Sequence, residues 1–165
     1  EERKNALEEA LWHLSFIKEL PTPTFTPIQE QNWMTAWRDH YQPIQVGQRL
    51  LILPAWMDAQ HGKTRHIVRI DPAQASGTDT HPSTQLCLLA VEKLTRQGQN
   101  VIDLGCGSGI LAIASLRFGA QYALAIDIDE LSVQATLQNA ALNGVLDKVA
   151  AGLRPDEVAA RKKGK

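Results

Sequence analysis

Two aspartates and three glycines carry the chemistry that this sequence offers. Asp103 stands just ahead of a turn with glycine at alternate positions, Gly105, Gly107 and Gly109, and Asp127 follows 22 positions after Gly105. Glycine at that density lets a backbone come close to a ligand. An acid at about that distance is where a ribose-binding carboxylate is expected. The dinucleotide fingerprint G-x-G-x-x-G would need glycine at position 110, where the chain has Ile110, and a diphosphate would be repelled by Asp103. S-adenosylmethionine meets neither objection, because it has no phosphate and carries an ammonium and a sulfonium. On that reading Asp103 holds the ammonium, directly or through water, while the Gly105–Gly109 backbone lies beneath the cofactor. Asp127 then accepts hydrogen bonds from both ribose hydroxyls. The plainer alternatives are a hydrogen-bonding turn residue for Asp103 and a turn or N-cap acid for Asp127. Cys106 reads as a small residue that fits, since no base is paired with it in the sequence.

These residues need a strand, a turn, a helix and a second strand to hold them, and the chain supplies that order. Val101–Leu104 is a short apolar run, Ile110–Phe118 has apolar residues at helical spacing, and Tyr122–Ile126 is a second strand ending at Asp127. Asp129 can cap a helix from Glu130 to Leu142 that Asn143-Gly144 closes. Upstream, Pro82 opens a helix to Leu94, with Leu86, Leu89, Ala90 and Leu94 as its apolar face. Arg49–Leu53 and His66–Ile70 read as two strands, expected to pair antiparallel. Arg3–Leu20 is expected to form an amphipathic helix, ended by Pro21, Pro23 and Pro27. Trp33 and Trp37, four apart, share a face that packs one element on another or, alternatively, contacts a protein substrate. Residues 154–165 read as a solvated basic tail.

Bulk composition narrows the class. A chain of 165 residues that is 44% hydrophobic is about one domain, and a net charge of −1 gives no global field toward nucleic acid or an anionic membrane. Cys87 and Cys106 lack Cys-x-x-Cys spacing, which argues against zinc or a disulfide framework and for a reducing, cytoplasmic compartment. No basic-then-apolar leader and no apolar run of roughly 18 residues is present, so the chain is expected to be soluble. The first helix begins almost at residue 1 with no partner before it, and the chain is expected to start inside a larger domain.

The run Asp-Leu-Gly-Cys-Gly-Ser-Gly-Ile-Leu-Ala-Ile-Ala, then Ile-Asp-Ile-Asp and Gln-Asn-Ala-Ala-Leu-Asn-Gly, resembles the ribosomal protein L11 methyltransferase family of class I methyltransferases. Gly77-Thr78-Asp79-Thr80-His81-Pro82-Ser83-Thr84 is similar to that family's Gly-Thr-Gly-x-His-Pro-Thr-Thr signature, with Asp79 in place of glycine and Ser83 in place of threonine. Asn32-Trp33 through Trp37-Arg38, Pro43 and Pro54-Ala55-Trp56 match its interdomain segment, so the resemblance covers roughly residues 10–145. It implies an α/β chain: a Rossmann-like class I methyltransferase half, a parallel βαβ unit, preceded by a helical and β-hairpin linker region. The implied domains are residues 1–30 as the remnant of a substrate-recognition domain and 31–75 as an interdomain segment. Residues 76–152 would be an incomplete cofactor domain and 153–165 a tail. The chain is expected to stop after the second strand and its helix, without the family's acceptor-side strands.

By the same resemblance, Thr84, Gly105 and Asp127 fall on cofactor-binding positions, with Asp103, Gly107 and Gly109 completing the site. Thr78, Thr80 and His81 would form a loop closing over the methionine end, with His81 read as loop structure first. The implied reaction is attack of a neutral amine, a lysine side chain or the N-terminal amine of a large-subunit ribosomal protein, on the sulfonium methyl. No direct nucleic-acid partner is implied and no residue identifies itself as the base. The competing readings are a non-catalytic cofactor-binding fragment and, further off, a dinucleotide-dependent oxidoreductase.

Overall fold

A computed structural model describes residues 2–18, 23–24, 42–57, 65–71, 81–156 and 158. The chain divides into two compact units, residues 1–40 and 41–165. In the first, helix α1 covers Glu2–Ser15. It stops short of the expected Leu20, and the Ser15 hydroxyl donates to the Trp12 carbonyl at 2.6 Å. Such local side-chain bonds compete with the helix ladder. The expected helical pair Trp33 and Trp37 lies outside the described residues.

The second unit holds two three-stranded sheets. In one, β1 (Ile44–Val46), β2 (Leu50–Pro54) and β3 (His66–Ile70) lie in that order. The expected antiparallel pairing of β2 with β3 is wrong: the two run parallel, with Leu50 opposite His66 and Pro54 opposite Ile70. The antiparallel partner of β2 is β1, with Val46 opposite Leu50 across a turn at residues 47–49. A tight turn permits antiparallel pairing, whereas the long connection from Pro54 to His66 lets the chain return in the same direction. Three residues are too short to announce β1 by alternation. The turn is stapled to the next helix, because Glu92 accepts from Gln48 N at 3.2 Å and faces Arg49 Nε at 3.6 Å.

In the other sheet β4 (Asn100–Leu104), β5 (Tyr122–Ile126) and β6 (Val149–Gly152) are all parallel, in that order. β6 corrects the expectation that the chain ends after the second strand and its helix. Val-Ala-Ala-Gly is short and poor in β-branched residues, and it forms a strand because pairing with β5 buries it. Val158 is also buried and packs on Gly152, so the tail is not wholly solvated.

Between the sheets lies α3 (Ile110–Arg117), which packs on β3, β4 and β5. Ile110, Ala112, Ile113, Ala114, Ser115 and Leu116 are all buried. A helix apolar all round belongs in a core, and Ile-Leu-Ala-Ile-Ala has no polar face to offer solvent. Two further helices, α2 (Pro82–Leu94) and α4 (Glu130–Leu142), pack against α3. In α2 the buried residue is Leu88, while Leu86, Leu89 and Leu94 are exposed. This overturns the expected apolar face. The helix carries two apolar stripes, and periodicity cannot say which one meets the core. Ala90 and Leu94 instead line an open groove of about 440 Å³ along the outer edge of β4, with Val101, Ile102, Leu104 and Leu111. No helix among the described residues is long and apolar enough to cross a membrane.

Candidate functional site

The turn from β4 into α3 is built from three left-handed glycines, Gly105, Gly107 and Gly109, with φ of 73°, 52° and 77°. It is pinned beneath by the end of β5: Gly105 N and Cys106 N both donate to the Ile126 carbonyl, at 2.8 and 3.1 Å. The requirement for glycine differs along the turn. At Gly107 a Cβ would meet nothing within 4 Å, and the same holds at Gly105. Side chains there would project into open space that a ligand could fill. At Gly109 a Cβ would fall 2.8 Å from Thr136 Cγ2 and 3.1 Å from its Cα. Gly109→Ala therefore combines left-handed strain with overpacking against a helix backbone. Each costs about 1–2 kcal/mol or more, and a drop in melting temperature of roughly 10 °C is expected by differential scanning calorimetry. An unchanged melting temperature would show that α4 can move aside freely.

Asp103 faces inward from β4 and is buried. Its Oδ2 accepts from Ala112 N at 3.1 Å. Gly109, the N-cap of α3, has no side chain with which to cap, so Asp103 meets an amide that would otherwise be orphaned and places negative charge at the positive end of the helix. Burial raises the Asp103 pKa above the usual carboxylate range, the Ala112 N–H pulls it partly back, and the charge of Asp127 raises it further. Asp127, at the end of β5, accepts from Gly107 N through Oδ2 at 2.9 Å and from Asp129 N through Oδ1 at 3.0 Å. Each carboxylate oxygen still has a second lone pair for an incoming hydroxyl. Cys106 is buried and its thiol is pushed up to about 11, chiefly by burial. It is thus protonated near neutrality, which suits packing and not attack.

The structure brings Asp103, Gly105, Gly107, Gly109 and Asp127 together at the carboxyl ends of two adjacent parallel strands, the place where open α/β sheets bind ligands. Thr84 and His81 sit at the start of α2 and share no hydrogen bond with the turn among the described residues. His81 is the N-cap of that helix: its Nδ1 accepts from Ser83 N at 3.3 Å and lies 2.7 Å from Ser83 Oγ. Thr78, Thr80 and Asp79 lie outside the described residues. Sequence reading missed the supports behind the turn. Thr136 Oγ1 donates to the Gly107 carbonyl at 3.0 Å and lies 3.2 Å from Cys106 Sγ. Asn139 Nδ2 donates to the Ser108 carbonyl at 2.9 Å. Their signal was polar residues at helical spacing, Ser132, Thr136 and Asn139, continued by the C-cap Asn143, on a side of the helix apart from Glu130, Gln134 and Gln138.

Parallel strands, left-handed glycine turn, inward acid and second-strand acid together define the cofactor half of a Rossmann-like class I methyltransferase. Residues 1–164 match the family model described as ribosomal protein L11 methyltransferase (PrmA). A ribosomal protein L11 methyltransferase of Synechococcus sp. strain RCC307 is 50% identical over 147 residues, 87% of this chain and 48% of the relative. One from Chloroflexus aurantiacus is 40% identical over 149 residues, 90% of this chain and 45% of the relative. The crystal structure of a ribosomal protein L11 methylase from Lactobacillus delbrueckii subsp. bulgaricus superposes with a TM-score of 0.63 at 41% identity, covering 69% of this chain and 58% of that one. The chain belongs to the ribosomal protein L11 methyltransferase family. It spans about half the length of the curated relatives it matches.

Proposed function

We propose that this chain binds S-adenosylmethionine and forms the cofactor half of an N-methyltransferase acting on amino groups of ribosomal protein L11, its lysine side chains and N-terminal amine, in the cytoplasm. One observation carries the reading: two carboxylates, Asp103 and Asp127, flank a glycine turn whose open side has room for a ligand. A cationic cofactor relieves the mutual repulsion of these acids, whereas a diphosphate would add to it. S-adenosylmethionine, when bound, supplies a methyl group on a positively charged sulfur that departs as a neutral thioether, so no acid has to stabilise the leaving group. The work left to the chain is to bind and orient. Asp103 attracts the ammonium, Asp127 fixes the ribose and the turn backbone supports the remainder. Thr84, Thr78, Thr80 and His81 belong to the proposed site through the family resemblance, with His81 first of all holding the start of α2.

A second reading, cofactor binding without turnover by these 165 residues, is favoured by the uncovered side of β4. Among the described residues β4 pairs with β5 alone, and Ile102 and Leu104, which share one face of the strand, are 66% and 74% exposed. Neighbouring apolar side chains on one strand face are what native proteins cover. Family membership leaves the dinucleotide reading without support. The test is mass spectrometry of ribosomal protein L11 incubated with S-adenosylmethionine and either this chain or a full-length relative. Methylation by the relative and little or none by this chain is expected. Methyl transfer at comparable rates by both would overturn the second reading, and failure of this chain to bind the cofactor in calorimetry would overturn the first.

A further inference from the structure

Ser132, Thr136 and Asn139 along one face of α4, and Asn143 at its C-cap, are all buried and stand three or four residues apart. A buried amide destabilises the fold unless both its donor and its acceptor find partners. Asn143 meets that demand within the first sheet: Oδ1 accepts from Arg69 N at 2.9 Å and Nδ2 donates to Arg69 O at 2.6 Å. It thereby continues the ladder of β3. Asn139, 1% exposed, does something else. Its Oδ1 accepts from Asp71 N at 2.9 Å, just past β3, while Nδ2 donates to Ser108 O at 2.9 Å in the glycine turn. One amide ties the end of the first sheet to the turn of the second.

We infer that Asn139 is a positioning residue for the methyl donor, acting through the glycine turn and through its link to Asp71. The inference rests on the cofactor reading proposed above. Asn139 and Thr136 draw the carbonyls of Ser108 and Gly107 onto α4. Gly107 N–H is thereby left aimed at Asp127, and the space beside Gly105 and Gly107 is left to the ligand. A bound cofactor that stiffens the turn stiffens the end of β3 through the same amide.

Asn139→Asp separates this role from packing. It keeps size and the acceptor for Asp71 N but sets a carboxylate oxygen against the Ser108 carbonyl. Titration calorimetry with S-adenosylmethionine and S-adenosylhomocysteine, at a temperature where circular dichroism shows every variant folded, is expected to give at least tenfold weaker binding for N139D. Asn143→Ala, which loses only bonds to the first sheet and to its own helix, is expected to melt several degrees lower yet bind as wild type. Hydrogen exchange adds a readout that bulk stability does not move: the cofactor slows exchange of the Asp71 amide in wild type and leaves it unchanged in saturated N139D. If N139D does not fold, Asn139→Ser, smaller and uncharged, carries the same affinity expectation. Wild-type binding with N139D within twofold of it, or equal affinity losses in N139D and N143A, would overturn the role of Asn139 alone. A wild-type chain that binds neither ligand overturns the cofactor reading as well.

Discussion

Asp127→Ala is expected to weaken S-adenosylmethionine binding by about a hundredfold or more. Hydrogen bonds to a charged acceptor are each worth about 1.5–3 kcal/mol, and the proposed carboxylate receives two from the ribose. The variant also strips Gly107 N and Asp129 N of their partners, so part of the loss comes from a loosened turn. These contributions separate by experiment. The melting temperature of the unliganded variant reports the turn, and the affinity for adenosine set against that for methionine reports the ribose. The ribose contribution predicts that adenosine binding suffers much more than methionine binding. Undiminished affinity for the cofactor would remove Asp127 from the site.

Asp103→Asn is expected to trade binding for stability. The folded protein raises the pKa of Asp103, so the folded chain takes up that proton more readily than the unfolded one. The stability linked to it is fully present below the ordinary aspartate value and is lost as pH rises through the elevated folded value. Asparagine keeps an oxygen for Ala112 N and has no charge to desolvate. At neutral pH, D103N is therefore expected to melt a few degrees above wild type, about 2–4 °C for each kcal/mol recovered, with the difference closing in acid. Cofactor affinity is expected to fall at least tenfold, because an ammonium or sulfonium gains most from an ionised partner. In wild type the cofactor draws Asp103 toward its ionised form, so binding strengthens as pH rises across the same window and releases protons. Calorimetry in two buffers of different ionisation enthalpy measures that release. A D103N protein less stable than wild type at pH 7, or one that binds as tightly, would remove Asp103 as the buried charge that serves the cation.

The groove beside β4 is lined by apolar side chains from two elements, Ala90 and Leu94 of α2 and Ile102 and Leu104 of β4. The groove accounts for part of the apolar face expected of α2, since Ala90 and Leu94 line it, whereas Leu86 and Leu89 are exposed away from it.

What could be read from the order of residues is whatever depends on near neighbours in the chain. The glycine spacing, the strand Tyr122–Ile126, the helix Glu130–Leu142 with Asp129 as its cap, and Pro82 as a helix start all follow from local backbone preferences, and all are observed. Ile110 where a dinucleotide turn needs glycine, with Asp103 ahead of the turn, is likewise legible in the order of residues, and it is the basis of the cofactor proposed above. Tertiary structure decided what distance in the chain conceals. The direction of β3 beside β2, the strand made from Val-Ala-Ala-Gly and the stripe of α2 that is buried each depend on a partner more than ten residues away. So do the two faces of Asp103. In sequence it is an acid before a turn; in the fold the same carboxylate accepts from the first turn of α3 and is desolvated beside Asp127. Asn139 shows the limit most plainly, because an amide in a helix says nothing until folding sets Asp71 on one side of it and Ser108 on the other.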